Sequence, residues 1–313
     1  MRIGLVVDSA CDLPGRYFRE HAITLLPVTV NIGDDTLTDM RDEQETLQFL
    51  HSHIAERGAD AETAPFSVQQ IQELFLGRLV IDYDYVFCLT TTRTRSPIYD
   101  NAMQASFAIL NEYRPIRAAA GHDTPFALRV VDSQNVFAGQ GVTAVEAVRL
   151  IEAGEGAAKI RARLEYLALH THAYMVAPDL HYLRARTRKR GDRSVSLVSA
   201  TLGSALDIKP ILHCNRGETG PVGKVKGLEN ACERVFRFAG DRVRAGLMTP
   251  TLCLSYGGEL GEMRALPGYD DLRATCAAHN IEVFESVMGL TGMVNVGKGA
   301  LVVGFAAEPH AFG

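Results

Sequence analysis

The sequence predicts an α/β protein of two domains, and three observations support this prediction. Apolar runs alternate with helical patterns through the first half of the chain, which is typical of strands and helices that follow one another in an α/β domain. From about residue 169, short strands are joined in part by hairpin-like turns, which indicates an α+β arrangement. A length of 313 residues with 47% hydrophobic content favours two cores over one. We therefore expect an N-terminal domain over residues 1–165 and a C-terminal domain over residues 166–313.

The N-terminal domain is predicted to contain a mostly parallel, Rossmann-like sheet with flanking helices. Its strand-like runs are apolar on both faces, as expected of strands that helices cover on each side. Ligands of such sheets collect at the carboxyl ends of the strands. The predicted strands lie at residues 3–7, 23–32, 85–91 and 127–131, and the predicted helices lie near residues 43–57, 67–78, 97–113 and 139–153.

The C-terminal domain is predicted to be α+β, with a mixed or antiparallel sheet. Its clearest turn runs from Gly217 to Gly220, between the strand-like segments ILHC and VGKVK. A helical pattern covers SLVSATLGSA, and a long helix is predicted from about residue 227 to 245. Further strands are predicted at THAYMVA, PTLCLSY, IEVFESV and ALVVGFA.

Composition makes several classes of protein poor candidates. The formal net charge of -5, from 32 basic and 37 acidic residues, lacks the positive excess that nucleic-acid binding usually requires. No run of about 18 apolar residues occurs and the start does not resemble a signal peptide, so we expect a cytoplasmic protein without integral membrane association. The six cysteines are scattered and form no CxxC pair, which indicates reduced cysteines used for packing.

The four residues VVDS occur twice, each time at the end of an apolar run. The first copy ends in Asp8 and Ser9, and the second ends in Asp132 and Ser133. One interpretation is structural, because Asp and Ser side chains bond nearby backbone N–H groups where a strand enters a turn. The other is functional, because two identical strand ends can border one cleft. The residue types leave both interpretations open.

Two segments contain features of anion-binding sites, but only the first has all the residues that such a site needs. Ser96 followed by Pro97 predicts a helix start, which offers a hydroxyl and free N–H groups to a carboxylate or phosphate. In GMVNVGKGA, Gly292, Gly297 and Lys298 match a phosphate-binding loop, but Gly299 replaces the Ser or Thr that would hold magnesium. We therefore do not expect a nucleotide at this second segment.

Histidines and basic residues cluster without a clear site. The pairs His51/His53 and His170/His172 have no third ligand at metal-site spacing, so no metal is expected. The run RARTRKRGDR at residues 184–193 is typical of a solvated loop. The sequence contains no GxSxG, HExxH or GxGxxG motif and offers no obvious nucleophile, so no catalytic residue is predicted.

Taken in order along the chain, eight segments together resemble the DegV family from end to end. Each motif is weak alone, but the two strand-plus-DS elements and the pattern G-S-x-L-x-I-K-P are specific in combination. The segments are VVDSACDLP, TAPFS, TTTRTRSPIYDNA, VVDSQNVFAGQG, LHYLRARTRKRGDR, LGSALDIKPIL, VGKVK and GLTGMVNVGKGALVVGF.

The resemblance implies a two-domain protein that binds one long-chain fatty acid. It implies that the carboxylate is held between the domains and that the tail is buried in the C-terminal domain. It further implies that the protein is the acyl-carrying subunit of a bacterial fatty acid kinase, in which a separate kinase subunit supplies ATP and forms acyl-phosphate. No other cofactor is implied.

Four carboxylate-binding residues follow from matching the family's motifs to this sequence. The serine of the S-G-T-Y element falls on Ser96, and the T-S-x-P element places its threonine at Glu62 or Thr63. Thr63 is the better choice because an ionised Glu62 would repel a carboxylate.

The arginine of G-G-R-I-S falls near Arg193, with Arg190 as the alternative. The histidine of H-x-G-P-G-A is replaced by Asn295, and Lys298 follows three residues later.

Two other classes of function remain open from the sequence. One is a stand-alone enzyme on a phosphorylated or carboxylated small metabolite, with the VVDS ends and the basic run around its cleft. The other is a purely structural partner protein. The identity of the bound small molecule distinguishes these hypotheses from fatty-acid binding.

Overall fold

The computed structural model describes residues 1–52, 61–179, 182–183 and 207–313. The predicted helix at SLVSATLGSA, the end of the helix predicted at 43–57, Arg190 and Arg193 lie outside the described residues. The strands are β1 (Ile3–Asp8), β2 (Thr24–Leu26), β3 (Val28–Ile32), β4 (Asp35–Asp39), β5 (Glu62–Pro65), β6 (Tyr85–Thr90), β7 (Ala127–Asp132), β8 (Thr171–Val176), β9 (Ile208–Asn215), β10 (Glu218–Lys226), β11 (Thr251–Tyr256), β12 (Glu282–Val287) and β13 (Leu301–Ala306).

The helices largely follow the predicted positions. A π-helical segment, Phe75–Leu79, and a short turn, Val80–Asp82, extend the third α-helix. The α-helices are α1 (Gly15–Glu20), α2 (Glu43–Leu50), α3 (Val68–Leu74), α4 (Ile98–Ala108), α5 (Tyr113–Ala119), α6 (Ala138–Glu152), α7 (Ala157–His170), α8 (Leu228–Ala245), α9 (Leu260–Arg264), α10 (Tyr269–Ala278) and α11 (Leu290–Val296).

The predicted parallel sheet of the first half is confirmed. Its four strands lie in the order β2-β1-β6-β7 and all pair in parallel. Alternate residues of β1 face opposite cores, since Leu5 and Val7 pack with α6 and α7 whereas Val6 packs with α3 and α4. Burial on both faces is the physical reason for the continuous apolar runs.

The apolar run at 23–32 forms two strands where one was predicted. Pro27 separates β2, which stays in the parallel sheet, from β3, which pairs with β4 and β5 in a small antiparallel sheet. Proline lacks the N–H group that a continuous ladder needs, so the chain changes sheets at this residue.

The second half contains the predicted mixed sheet. Its six strands lie in the order β10-β9-β8-β13-β11-β12, with β11 and β12 parallel and the other neighbours antiparallel. The β9–β10 hairpin turns at Arg216 and Gly217, with φ of 52° and 78°, and not at the predicted residues 217–220. Two successive positive φ values are the geometry that a two-residue hairpin turn requires.

Helix α6 lies between the parallel sheet and the mixed sheet and joins their cores. Its residues from Ala138 to Val148 are buried, and one apolar cluster includes Val7 of β1 and Val302 of β13. The backbone at Gly304 of β13 approaches α6 so closely that an added Cβ would lie 2.5 Å from the carbonyl oxygen of Ala138. The division at 165/166 falls inside α7 and stays a prediction.

In the part of the chain that the structure describes, no helix has both the length and the apolar character needed to cross a membrane.

Candidate functional site

A cavity of about 340 Å³ lies at the carboxyl ends of β1 and β6. Elements from both halves of the chain form its wall, including β3 and β5 on one side and β8, β9, β10 and α11 on the other. The polar wall residues are Asp8, Thr63, Thr91, Arg95, Ser96, Thr219, Thr291 and Asn295, and the apolar ones are Ala10, Val28, Pro65, Pro97, Ile98, Val136, Phe137, Met175, Leu183, Leu212 and Val296.

The cavity lies where the sheet topology predicts a ligand. In a parallel sheet, the carboxyl ends of the strands meet at one edge, and the loops that follow them line the same crevice. Its volume is at the lower end of the range typical of small-molecule sites. The wall combines groups that can bond a polar head with a larger set of apolar side chains.

Asp8 is a fully buried carboxyl group on this wall. The backbone N–H of Thr91 donates to its Oδ2 at 2.5 Å, that of Ala10 to its Oδ1 at 3.0 Å, and the Gln140 amide to Oδ2 at 3.2 Å. Burial raises the pKa of Asp8 to about 6, although these three hydrogen bonds act in the opposite direction. The carboxyl group can therefore change charge near neutral pH.

The two VVDS ends share one local hydrogen bond, from a backbone N–H to the aspartate two residues earlier. Asp132 Oδ1 accepts from the N–H of Gln134 at 2.8 Å, as Asp8 Oδ1 does from Ala10. The Ser9 and Ser133 hydroxyls accept from the N–H groups of Val28 and Asn135. Of these four predicted cleft residues, the cavity wall includes only Asp8. Asp132 and Ser133 bond the backbone of their own turn, whereas the Ser9 hydroxyl bonds the backbone of Leu26 and Val28 at the junction of β2 and β3.

Ser96 lies on the cavity wall at the start of α4. Its Oγ accepts from the N–H of Ile98 at 3.3 Å, but α4 begins at Ile98, so Pro97 and not the predicted Ser96 occupies the capping position. The neighbouring Arg95 also lines the cavity, and burial lowers its pKa from the usual arginine value. Sequence reasoning missed Arg95, although its place beside a helix cap at a strand's carboxyl end was a usable signal.

Thr63 and not Glu62 lines the cavity. Residues on β5 alternate between two faces, and Thr63 is paired with Val30 of β3. Glu62 is exposed and is not part of the wall. The alternation therefore directs the uncharged side chain toward the site.

Asn295 also lies on the cavity wall, in the last turn of α11. It is 8% exposed, and its Nδ2 donates to the carbonyl oxygen of Thr291 at 2.6 Å. Lys298 is exposed and is not part of the wall. It lies between Gly297 and Gly299, whose φ values of 94° and 78° lead the chain into β13.

A buried ion pair connects α11 to the N-terminal half. Arg41 Nη1 lies 2.7 Å from Asp12 Oδ1, and its Nη2 donates to the carbonyl oxygen of Val287 at 3.0 Å. Asp12 also accepts from the Ser255 hydroxyl and from the N–H of Gly289. Burial raises the pKa of Asp12, and the Arg41 guanidinium opposes this.

A second carboxylate completes this connection, since Asp39 Oδ2 accepts from the N–H of Thr291 at 2.8 Å. Asp12 and Asp39 thus hold the first turn of α11, which carries Asn295 against the cavity. The connection explains how residues far apart in sequence position one wall of the site.

The fold and the cavity define the chain as a two-domain α/β protein with a cavity between its halves. The model of the DegV family, described as a family of uncharacterised proteins, matches residues 2–308. A DegV domain-containing protein of Xanthomonas axonopodis pv. citri is 64% identical over 312 residues, which cover 100% of this chain and 99% of the relative. The chain therefore belongs to the DegV family, as predicted.

Solved structures share this fold. A DegV lipid-binding protein from Thermotoga maritima aligns with a TM-score of 0.76 and 22% identity, over 99% of this chain and 100% of that chain. DegV, a fatty-acid-binding protein from Bacillus subtilis, aligns with a TM-score of 0.77 and 19% identity, over 98% and 100%. At these identities the likeness establishes the fold.

Proposed function

We propose that the protein binds one long-chain fatty acid in this cavity and does not itself catalyse a reaction. The observation that carries the proposal is the wall of the cavity, which combines hydroxyl, amide and charged groups with a larger apolar set. That composition suits a molecule with a carboxylate head and an apolar tail. The descriptions of the Thermotoga and Bacillus relatives as lipid-binding and fatty-acid-binding support the same ligand class.

The head group is proposed to lie against Thr63, Ser96 and Asn295. All three are on the cavity wall and carry neutral hydrogen-bond donors. Arg193, the fourth predicted ligand, lies outside the described residues, and Arg95 adds a cation on the wall. The tail is proposed to extend along apolar side chains that include Phe137, Met175 and Leu212, of which the last two belong to strands of the mixed sheet.

The tail is expected to supply most of the affinity. Burial of about 15 carbons at about 0.8 kcal/mol each gives a gross gain of roughly 12 kcal/mol before ordering costs. Each neutral hydrogen bond to the head adds about 0.5–1.5 kcal/mol net and chiefly offsets desolvation of the carboxylate. The head-group contacts therefore fix the orientation of the carboxylate more than they set the affinity.

We further propose that the protein presents the bound acid, in the cytoplasm, to a separate ATP-dependent kinase subunit that forms acyl-phosphate. The segment most similar to a nucleotide loop, residues 292–300, leads into strand β13, whereas a phosphate-binding loop of that type precedes a helix. A separate source of ATP is consistent with this arrangement.

Recombinant protein is expected to carry host fatty acid at close to one molecule per chain, because burial of the tail makes release slow. Organic extraction of the purified protein followed by mass spectrometry measures the amount. The control is the same extraction after the protein has been unfolded, stripped of lipid and refolded with added palmitate. A soluble metabolite in place of lipid, with no uptake of palmitate, would favour the stand-alone enzyme.

Replacement of Ser96 by alanine should reduce acyl-phosphate formation by a cognate kinase subunit more than it reduces palmitate affinity. The change removes one hydroxyl group from the head-group end and leaves the apolar wall intact. Kinase turnover and palmitate titration are measured in parallel. Ser106→Ala is the matched control, because that hydroxyl lies in the same helix and donates to the carbonyl oxygen of Met103. Equal losses in both assays, or none, would remove Ser96 from the site.

A further inference from the structure

We propose that Thr291 is a further ligand-binding residue whose hydroxyl donates a hydrogen bond to the carboxylate of the bound fatty acid. This inference rests on the proposed function and adds a residue that the sequence motifs did not indicate. Thr291 is 6% exposed and lies on the cavity wall. Among the described residues, its Oγ1 has no hydrogen-bond partner.

The missing partner of Thr291 follows from its place in the first turn of α11. A helical threonine hydroxyl commonly bonds the carbonyl oxygen three or four residues earlier. Thr291 is the second residue of α11, and the carbonyl oxygen four residues earlier, that of Val287, accepts from Arg41. A buried hydroxyl without a partner is destabilising in the free protein. Such a hydroxyl group is tolerated where a bound ligand supplies the missing hydrogen-bond partner.

The backbone around Thr291 is held firmly. Its N–H donates to Asp39 at 2.8 Å, and its carbonyl oxygen accepts from Asn295 at 2.6 Å. Residues four apart lie on the same face of a helix, so Thr291 and Asn295 share the face that borders the cavity. The hydroxyl and the amide are thus positioned as neighbouring donors before a ligand arrives.

The chemistry of the group identifies the part of the ligand that it contacts. An apolar tail against this hydroxyl would leave it without a partner, whereas a carboxylate accepts a hydrogen bond and strengthens it through its charge. The other buried threonine hydroxyls without a partner in the described residues, those of Thr90, Thr143 and Thr249, are not on the cavity wall. Thr291 alone among these four borders the ligand space.

The test compares Thr291→Val with Thr143→Val, since each removes one buried hydroxyl without a partner and keeps the shape of the side chain. Both variants, stripped of lipid, should be as stable toward urea as the native protein or more stable, because an unsatisfied polar group is lost. Thr291→Val alone should lose palmitate affinity, by about five- to tenfold. Thr143→Val should bind palmitate as the native protein does.

Two further measurements separate a head-group contact from a structural effect. Thr291→Ser retains the hydroxyl and should restore palmitate affinity to within about threefold of the native value, since only a methyl group is lost. Hexadecanol lacks the charged acceptor, so Thr291→Val should weaken its binding less than it weakens that of palmitate.

Equal palmitate affinity of Thr291→Val and the native protein would overturn this inference and leave the proposed function in place. A parallel loss of stability and affinity that Thr291→Ser does not restore would also overturn it. If the native protein itself binds no palmitate, the proposed function and this inference both fail.

Discussion

Replacement of Arg41 by alanine should lower the free energy of unfolding by about 3–5 kcal/mol. The Arg41 and Asp12 side chains are 2% and 0% exposed, so the variant leaves the Asp12 carboxylate buried without its cation. It also removes the hydrogen bonds from the guanidinium to the carbonyl oxygens of Leu13 and Val287. Urea denaturation at pH 7 measures the change.

A surface ion pair provides the control for this prediction. Arg78 and Asp82 lie four residues apart, with side chains 61% and 44% exposed, so Arg78→Ala should change stability by about 0.5 kcal/mol or less. Removing both buried charges, in Arg41→Ala with Asp12→Ala, should cost less than the sum of the single changes. A cost for Arg41→Ala no larger than that for Arg78→Ala would contradict the structural role of the buried pair.

Acidification from pH 6.5 to 4 should destabilise the protein by about 3 kcal/mol through His172 alone. Burial, together with the neighbouring His310 and His213, lowers the pKa of His172 to about 3. The unfolded chain takes up a proton below about pH 6.5 while the folded protein does not, so stability is lost as the pH falls through this window. His172 Nδ1 lies 2.9 Å from His213 Nε2, and the two rings are nearly parallel.

The measurement compares urea denaturation of the native protein and His172→Gln at several pH values. Asp8 has the opposite effect, because its raised pKa of about 6 makes stability fall as the pH rises from 4 to 6. Both proteins contain Asp8, so its contribution cancels in the difference between them, which reports His172 together with its contact with His213. His279→Gln, at an exposed histidine, is the control. An unchanged pH dependence in His172→Gln would show that this histidine does not titrate as described.

Most elements of the fold could be predicted because their signals are local. The runs that became β1 and β6 are apolar at successive positions, the run of β7 is interrupted by Arg129, and the Ser96–Pro97 pair indicates where α4 begins. The division of residues 23–32 into two strands was missed, although Pro27 lies within the run. A proline can stand at the start of a strand, on an edge strand or at a bulge, and only the pairing of β3 with β4 and β5 shows that the strand ends here. The hairpin turn was misplaced because glycines at 217 and 220 both permit a turn.

The site could be predicted only in part. Matching motifs led to Thr63, Ser96 and Asn295, and all three are on one cavity wall. The same reasoning did not separate Asp8 from the second VVDS end, since both aspartates accept the same local hydrogen bond from the residue two positions on. Thr291 was missed because no motif position singled it out, and Arg95 was missed although it stands next to Ser96 at the carboxyl end of β6.

By itself, the sequence determined the local conformations and the family. Strand ends, turns and helix starts depend on side chains within a few residues of the backbone that they bond, so they can be read from short segments. The tertiary structure alone decided which groups meet. Asp12 bonds Ser255 and Gly289, and Asp39 bonds Thr291, across separations of more than 240 residues. These contacts form only after both cores pack, because the buried charges need partners that no nearby segment supplies.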